Sequence, residues 1–214
     1  MKESQNEIPT YLDESIFYLG QAYNYIWQSA KLNFLFNGNH EADHSDFDKY
    51  LKAHGYKFKN INGNEVGGYS CLKNKNISLV IDVGSSPDKK FSQNYQSGPL
   101  SFEMFYSGNK IITNSGFFQN YKHQLNSISK STAAHSTLII DNNSVNKFKK
   151  QNNADTVVDD SFKIFDKKII IEKSNWKISA SHDGYQKKYG IIHKRELEYL
   201  IDNNTLIGKD FLLK

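Results

Sequence analysis

The most obvious candidates for chemistry are the two histidines and the glutamate of the segment HEADH, residues 40–44, which matches the pattern H-E-x-x-H. On a helix this spacing puts two imidazoles on one face to bind zinc, and the glutamate activates a water molecule. The segment follows the turn Asn37-Gly38, however, and lies among acidic residues rather than inside an apolar helix. We therefore interpret it as a solvated loop.

Other familiar catalytic patterns are weak or missing. The stretch Asp82–Asp88 is slightly similar to a phosphate-binding loop, but it lacks the lysine and the following helix that hold a phosphate. No G-x-S-x-G elbow exists, and Cys71 has no adjacent base. Because Cys71 is the only cysteine, the chain can form neither an internal disulfide nor a cysteine-based zinc site. His135 opens an apolar run, and a lone histidine of this kind is usually structural.

The elements that would position these residues begin with two predicted helices. Apolar residues recur at intervals of three and four from Tyr11 to Trp27, which is typical of a helix, and Asp13 or Ser15 is a suitable N-cap. A second, short helix is predicted over Ser45–His54, with its first residue as the cap and Gly55 at its end.

After Gly55 the apolar period changes to about 2 residues, and short runs alternate with turn residues. This pattern predicts a mainly β chain, an antiparallel β-sandwich preceded by one or two helices. The predicted strands are Ser70–Leu72, Ile77–Val83, Leu100–Tyr106, Lys110–Thr113, Ser136–Ile140, Ser161–Phe165, Lys168–Glu172, Trp176–Ser181, Ile192–Leu200 and Thr205–Leu213.

Composition restricts the class of partner. The chain has 214 residues, enough for one ordinary domain or for one domain and part of another, and a net charge of +4. Arg195 is the only arginine among 27 basic residues, and arginine is the residue that phosphate recognition favours, so we do not expect a nucleic-acid partner. No apolar run is long enough to span a membrane, and the polar N-terminus does not have the pattern of a signal peptide.

An ordered series of motifs is more specific than any single one. Together the motifs resemble the C-terminal domain of heparinase II/III-like polysaccharide lyases, over roughly residues 30 to 214. They are FLFNG (34–38), GGYSCLKNKNISLVIDVGSSP (67–87), LSFEM (100–104), GNKIITNSG (108–116), STAAHSTLIID (131–141) and SASHDGYQKKYGIIHKRELEYL (179–200).

The resemblance implies a two-domain organisation. A member of this family consists of a helical α/α toroid followed by an antiparallel β-sandwich. Residues 1–55 would then be the end of the toroid, and residues 56–214 would be the sandwich, truncated at its C-terminus. The chain would be a fragment, inactive by itself, whose partner in the intact protein is the rest of the toroid.

The resemblance also implies an activity, the cleavage of acidic, uronic-acid polysaccharides by β-elimination. A base removes the C5 proton, an acid protonates the leaving oxygen, and the uronate carboxylate must be neutralised. In the family a Tyr and an Asn or His of the toroid do much of this, and none of them is found in this chain. The sandwich adds a histidine, and Asn94 occupies its position here. Asn94 and His135 are the candidate catalytic residues.

The resemblance also implies a structural zinc site, but two of its three ligands are replaced in this chain. Its histidine, aspartate and second histidine correspond to Gln96, Asn114 and His135. Amides are poor zinc ligands, and one histidine cannot hold a closed tetrahedral site, so we expect no zinc and no other cofactor. A hydrogen-bonded cluster of Asn94, Gln96, Asn114 and His135 is expected in its place.

Substrate contacts are predicted for Gln96, Asn114, Tyr69 and Arg195, although Arg195 also fits a structural ion pair within the sheet. The alternative function is a non-catalytic carbohydrate-binding sandwich. Its aromatic sugar platform would contain Tyr69, Phe117, Phe118 and Tyr121. The family resemblance further suggests the periplasm or cell envelope as the location of an intact bacterial protein.

Overall fold

The computed structural model describes residues 9–26, 32–56, 65–151 and 155–214. Its helices are α1 (Thr10–Ile26), α2 (Ser45–Ala53), α3 (Gln124–Lys130) and α4 (Gln186–Tyr189), with short 3₁₀ turns at Lys89–Phe91 and Thr132–Ala134. Its strands are β1 (Tyr69–Lys73), β2 (Ile77–Asp82), β3 (Phe102–Tyr106), β4 (Asn109–Ile112), β5 (Phe148–Gln151), β6 (Asp155–Val158), β7 (Ile164–Ile171), β8 (Asn175–His182), β9 (Ile192–Leu200) and β10 (Thr205–Leu213).

Two four-stranded antiparallel sheets form the body of the fold. The first sheet has the strand order β1-β2-β3-β4, and the second has the order β10-β9-β8-β7. Strands β5 and β6 pair as a separate hairpin. Neighbours in both large sheets are consecutive in the chain, as in simple antiparallel meanders. The predicted mainly β sandwich, preceded by helices, is confirmed.

The main core lies between the two sheets, where alternating residues of each strand face inward. Burial of these apolar side chains is the chief favourable term in folding. The buried members are Leu72, Ile77, Leu79, Ile81, Val83, Leu100, Trp176, Ile178, Ala180, Leu197 and Tyr199. On β9 the same inward face becomes polar at one end, where His193 and Arg195 are also buried.

The outer face of the first sheet is covered as well. Val80 and Phe105, which point away from the main core, pack against Phe34 and Phe36 of the segment that follows α1. The rings of Phe34 and Phe105 meet edge to face, with their centroids 5.0 Å apart. The hydroxyl of Tyr25 accepts a hydrogen bond from the backbone N–H of Cys71 at 3.1 Å. These contacts join the helical segment to the sheet.

Several local predictions differ from the structure. No strand forms at 136–140, because polar groups there bind other segments: the N–H of Ser136 donates to Asn114, and the hydroxyl of Thr137 donates to Pro99 O. His44, not Ser45, is the N-cap of α2. The two runs predicted around Asp166 are one strand, β7, with a β-bulge between them.

Three elements were not predicted, namely α3, α4 and the β5–β6 hairpin. Trp27, at the end of the first predicted helix, lies outside the described residues. In the described part of the chain, none of the helices combines the length and the apolar character that crossing a membrane requires.

Candidate functional site

The HEADH segment does not form a zinc-binding helix. Residues 39–44 have no regular structure and come before α2. Glu41 pairs with Lys110, and the Nδ1 atom of His40 lies 3.2 Å from the amide nitrogen of Gln119. Throughout the described ranges, no group of three His, Cys, Asp or Glu side chains is placed to hold a metal ion.

Gln96 is buried, and its side chain joins three segments of the chain through hydrogen bonds. Its Oε1 accepts the N–H of Gly38 at 3.0 Å, and its Nε2 donates to the carbonyls of Gly116 at 2.9 Å and Ser129 at 2.7 Å. All the polar atoms of this side chain are therefore engaged with backbone groups. The predicted substrate contact by Gln96 gains no support from this arrangement.

Asn114 has a similar structural position. Its Oδ1 accepts the N–H of Ser136 at 2.9 Å, and its own N–H donates to the buried carboxyl of Glu103 at 2.6 Å. Glu103 also accepts the N–H of Leu35 at 3.0 Å. Burial raises the pKa of Glu103 to about 7, although these hydrogen bonds act in the opposite direction. The pair joins the segment after α1 to the sandwich.

His135 is held against the backbone of Gly98. A Cβ at Gly98 would lie 2.7 Å from the imidazole Cδ2, so only glycine permits this approach. The Nδ1 atom of His135 lies 2.8 Å from Ser131 O, and Nε2 is buried with no hydrogen-bond partner. Burial lowers the pKa of His135 to about 4, which keeps the ring neutral. Its catalytic role stays a prediction.

The hydrogen-bonded cluster that the sequence predicted around His135 does not form. Asn94, Gln96, Asn114 and His135 are all described, and no hydrogen bond joins any two of them. Three of them bind backbone groups, whereas Asn94 is exposed and accepts the hydroxyl of Tyr121 at 2.9 Å. Only Nε2 of His135 remains as a zinc donor, so these residues do not fit a structural zinc ion.

Zinc binding is thus expected to be weak. After incubation with zinc and desalting, elemental analysis of the protein should find far less than one zinc per chain. Gln96→His combined with Asn114→Asp restores the donor types of the family and is expected to retain more zinc. About one equivalent in the unmodified protein would contradict the prediction.

Arg195 forms an internal ion pair. Its Nε and Nη2 atoms contact the two carboxylate oxygens of Asp210 at 2.8 and 2.9 Å. Its Nη1 donates to the carbonyls of Leu100 at 2.8 Å and Ser136 at 2.7 Å. The geometry agrees with the structural ion pair, and the substrate contact stays a prediction without support from these bonds.

Two buried histidines continue this network. The N–H of Gly184 donates to Nδ1 of His182, so the neutral ring carries its proton on Nε2 and donates it to Nδ1 of His193 at 2.9 Å. His193 in turn donates from Nε2 to Asp210 at 2.7 Å. Burial alone would raise the pKa of Asp210, but hydrogen bonds from His193 and Arg195 hold it well below its usual range.

A pocket of about 250 Å³ lies beside Asn94. The loop after β2, the 3₁₀ turn that follows it and the Asn37-Gly38 turn contribute to its wall. We call it the Asp82 pocket, and the side chains that define it are those of Asn37, Tyr69, Asp82, Phe91, Asn94 and Tyr95. Two of the predicted site residues, Tyr69 and Asn94, therefore lie in one cavity.

The Asn37 amide organises the floor of this pocket. Its Nδ2 donates to the hydroxyl of Tyr69 at 2.6 Å and to Oδ2 of Asp82 at 3.1 Å. Oδ1 of Asp82 accepts the N–H of Gly84 at 2.9 Å. Burial raises the pKa of Asp82 to about 7, against the effect of these hydrogen bonds, and burial also raises the pKa of Tyr69 above its usual value.

Asp82 and Asn37 were missed as site residues. Asp82 was assigned to a strand that ends in a turn, and Asn37 was interpreted only as a turn residue. Asn37 does adopt a left-handed backbone, with φ of 44°. The available signal was a carboxylate directly after the apolar run Ile77–Ile81, since buried carboxylates need a dedicated partner.

The predicted aromatic platform is not one exposed surface. Phe117 is buried, and its ring meets Tyr121 edge to face at 6.3 Å. Phe118 is exposed, whereas Tyr69 lines the Asp82 pocket. Among the aromatic residues that line the Asp82 pocket, Phe91 has the largest exposed fraction, 71%.

Comparison with solved structures shows the fold. The structure titled "Heparinase III-BT4657 gene product" has a TM-score of 0.70, and that of the heparan sulfate lyase HepC from Pedobacter heparinus has 0.67. Both are 16% identical to this chain, and each match covers 96% of it. A further structure titled "Crystal Structure of Heparinase III" has a TM-score of 0.57 and covers 94% of the chain.

The chain spans about a third of the length of these solved proteins, 33% in each case. None of the curated proteins matches its sequence. The family described as "Heparinase II/III-like, C-terminal" matches residues 59–214, which include both sheets and most of the Asp82 pocket. This match covers well over half of the sequence. The chain therefore belongs to the heparinase II/III-like family and contains its C-terminal domain.

Proposed function

We propose that this chain is the sandwich portion of a polysaccharide lyase that cleaves acidic, uronic-acid polysaccharides by β-elimination. The observation that carries the proposal is the family match over residues 59–214. We further propose that an α/α toroid in the intact protein supplies the groups that move protons. The periplasm or cell envelope is the proposed compartment, which cell fractionation tests.

The described helices support the proposed division into residues 1–55 and 56–214. Helix α1 has no buried residue, although it carries several large apolar side chains. Exposed apolar patches of this kind mark surfaces that contact further protein. The exposed large apolar residues of α1 are Tyr11, Phe17, Tyr18 and Leu19. We propose that the rest of a toroid covers this face of α1, since the chain spans only 33% of the length of its solved relatives.

The sandwich by itself has little capacity for this reaction. β-Elimination needs a base within hydrogen-bond reach of the C5 proton. The amide of Asn94 cannot accept that proton, and the imidazole of His135 is packed against Gly98. We therefore propose that the sandwich orients the polysaccharide and that this chain alone is inactive.

A second cavity supports an acidic ligand. This groove of about 500 Å³ is lined by three exposed lysines and a single carboxylate, and we call it the lysine groove. Its charged and aromatic residues are Lys147, Asp160, Tyr185, Lys187, Lys188 and Tyr189. An excess of positive charge in a concave site attracts a polyanion.

Removal of this charge is expected to weaken polyanion binding. For Lys147→Ala/Lys187→Ala/Lys188→Ala, heparin affinity should fall about ten-fold at low salt, since exposed ion pairs contribute about 0.2–1 kcal/mol each. The matched control replaces three exposed lysines elsewhere, Lys52, Lys75 and Lys209. Calorimetric titration checks both. An equal loss in the control would show that only net charge matters.

Lyase activity has a direct test. The full-length protein is mixed with heparan sulfate, alginate or a similar polymer, and absorbance is followed at the band of unsaturated uronates. A rise in absorbance is expected for at least one polymer. No rise with any of them, at an enzyme concentration that is sufficient for a known lyase, would argue against the proposed reaction.

The second candidate is a non-catalytic carbohydrate-binding protein. The presence of Asn94 in place of the family histidine favours this candidate, because an amide has no acid–base chemistry near neutral pH. Binding of a polysaccharide without any rise in absorbance would select it over the lyase.

A further inference from the structure

We propose that the Asp82 pocket binds one neutral, hydroxyl-rich sugar unit, a unit that carries neither carboxylate nor sulfate. The inference deepens the proposed function and rests on it only in taking the ligand to be a saccharide. The cavity of about 250 Å³ is slightly smaller than the roughly 300–1,000 Å³ of pockets for drug-sized ligands. It therefore suits a single ring better than an oligosaccharide.

The pocket offers both donors and acceptors. The hydroxyl of Tyr69 accepts from Asn37, and among the described residues nothing accepts its own hydrogen. Nδ2 of Asn94 likewise has no acceptor within the described chain, since that residue bonds only through Oδ1 to Tyr121. Each carboxyl oxygen of Asp82 accepts one hydrogen bond and retains a further lone pair.

This set matches sugar hydroxyls, because each hydroxyl donates one hydrogen bond and accepts others. The floor is also rigid, since the Asn37 amide that joins Tyr69 to Asp82 accepts the N–H of Gln96 at 3.2 Å through its Oδ1. Burial raises the pKa of Asp82 to about 7, so near neutral pH this carboxyl can also donate. A preformed hydrogen-bonding site loses little entropy on binding.

Charge argues against an anionic unit in the same place. Within the described part of the chain, neither lysine nor arginine lines the pocket, and the ammonium of Lys90 lies over the Phe91 ring, 4.8 Å from its centroid, rather than beside Asp82. The negative charge of Glu65 also acts on Asp82 and, after burial, contributes to its raised pKa. A ligand carboxylate or sulfate there would lose its hydration without gaining a cation partner, and it would be repelled whenever Asp82 is ionised.

Aromatic surface completes the pocket. Phe91 lines the pocket and is 71% exposed, and Tyr95 is buried in the pocket wall. The C–H face of a sugar ring can cover the Phe91 ring and remove apolar surface from water.

Calorimetric titration of the full chain with cellobiose, and with a disaccharide that contains glucuronate, tests the proposal. We expect cellobiose to bind at least ten-fold more tightly. Phe91→Ala and Asn94→Ala change exposed residues, so both variants should fold, and each should weaken cellobiose binding by about ten-fold. Tyr69→Phe should have a similar effect. The matched control, Tyr189→Phe, removes a hydroxyl from the lysine groove and should bind cellobiose normally.

Three results would overturn the proposal: no cellobiose binding up to its solubility limit, equal or tighter binding of the acidic disaccharide, or unchanged affinity in both Phe91→Ala and Asn94→Ala. Asp82→Asn adds a specific readout, since removal of the negative charge should improve the relative affinity for the acidic disaccharide. These titrations do not require turnover. A failed lyase assay with normal cellobiose binding would therefore reject the reaction and keep the site.

Discussion

Arg195→Ala should lower the free energy of unfolding by about 3 kcal/mol, because removal of the buried partner of this partly buried ion pair leaves the Asp210 carboxylate less well compensated. Arg195 is only 7% exposed, whereas the side chain of Asp210 is 34% exposed, so the low end of the usual 3–5 kcal/mol is expected. The substitution also removes the donor to the carbonyls of Leu100 and Ser136.

The contact with Leu100 adds to the expected loss. Leu100 is fully buried and has a left-handed backbone, with φ of 58°, which is strained for a residue other than glycine or asparagine. Arg195 holds its carbonyl, and the carbonyl of Asp82 holds its N–H at 3.0 Å. Strained residues of this type persist only when their surroundings fix them.

Chemical denaturation of Arg195→Ala, Arg195→Lys and the control Lys209→Ala checks this prediction. Lysine keeps the charge but cannot form the two-pronged contact with Asp210 and also reach two carbonyls, so Arg195→Lys should be intermediate. Lys209 is exposed on the neighbouring strand, and its loss should change stability by less than about 0.5 kcal/mol. Equal stability of all three proteins would show that the network contributes little.

The parts of the fold that follow from hydrophobic periodicity were predictable. The inward positions of β8 and β9 alternate along the sequence, and both strands were predicted within two residues of their ends. Helix α3 and strand β5 were not predicted. Their sequences, QLNSISK and FKKQ, are mostly polar and carry no clear apolar period, so tertiary contacts decide their conformation.

The candidate site was predictable only in part, because it is assembled from distant segments. Asn37, Tyr69, Asp82 and Asn94 come from four regions of the chain, and no local pattern shows that they meet. The resemblance identified the loop that contains Asn94. It did not show that the Asn37 amide joins Tyr69 to Asp82, which requires the positions of side chains in space.

His182→Gln is expected to destabilise the protein at pH 7.5 and to do so much less at pH 4.5. Burial, with the nearby His193 and Arg195, lowers the pKa of His182 to about 3, from 6.5 for an ordinary histidine. Between these values the unfolded chain binds the proton and the folded chain does not. The contribution of the neutral ring to the free energy of unfolding is therefore fully present above pH 6.5 and is lost as the pH falls towards 3.

Glutamine is the suitable replacement because its amide can still donate to His193 but does not titrate. At pH 7.5 the variant should be less stable, since it loses the acceptor for Gly184 and the ring contacts with Phe162 and Tyr185. At pH 4.5, two units below the ordinary histidine pKa, the wild-type protein should have lost about 3 kcal/mol that the variant keeps. The stability difference between the two proteins should shrink by that amount.

A comparison of variants is needed because other buried groups have the opposite effect. Burial raises the pKa values of Asp82 and Glu103 to about 7, so these carboxyls favour the folded state at low pH and disfavour it as the pH rises. The pH profile of the wild-type protein is a sum in which the two effects partly cancel. The difference between wild type and His182→Gln removes the carboxyl contribution, because both proteins contain it. Denaturation of Gln186→Ala, which changes an exposed residue with no titrating group, provides the control. An equal stability difference at the two pH values for His182→Gln, as for this control, would contradict a neutral buried His182 in the His193–Asp210 network.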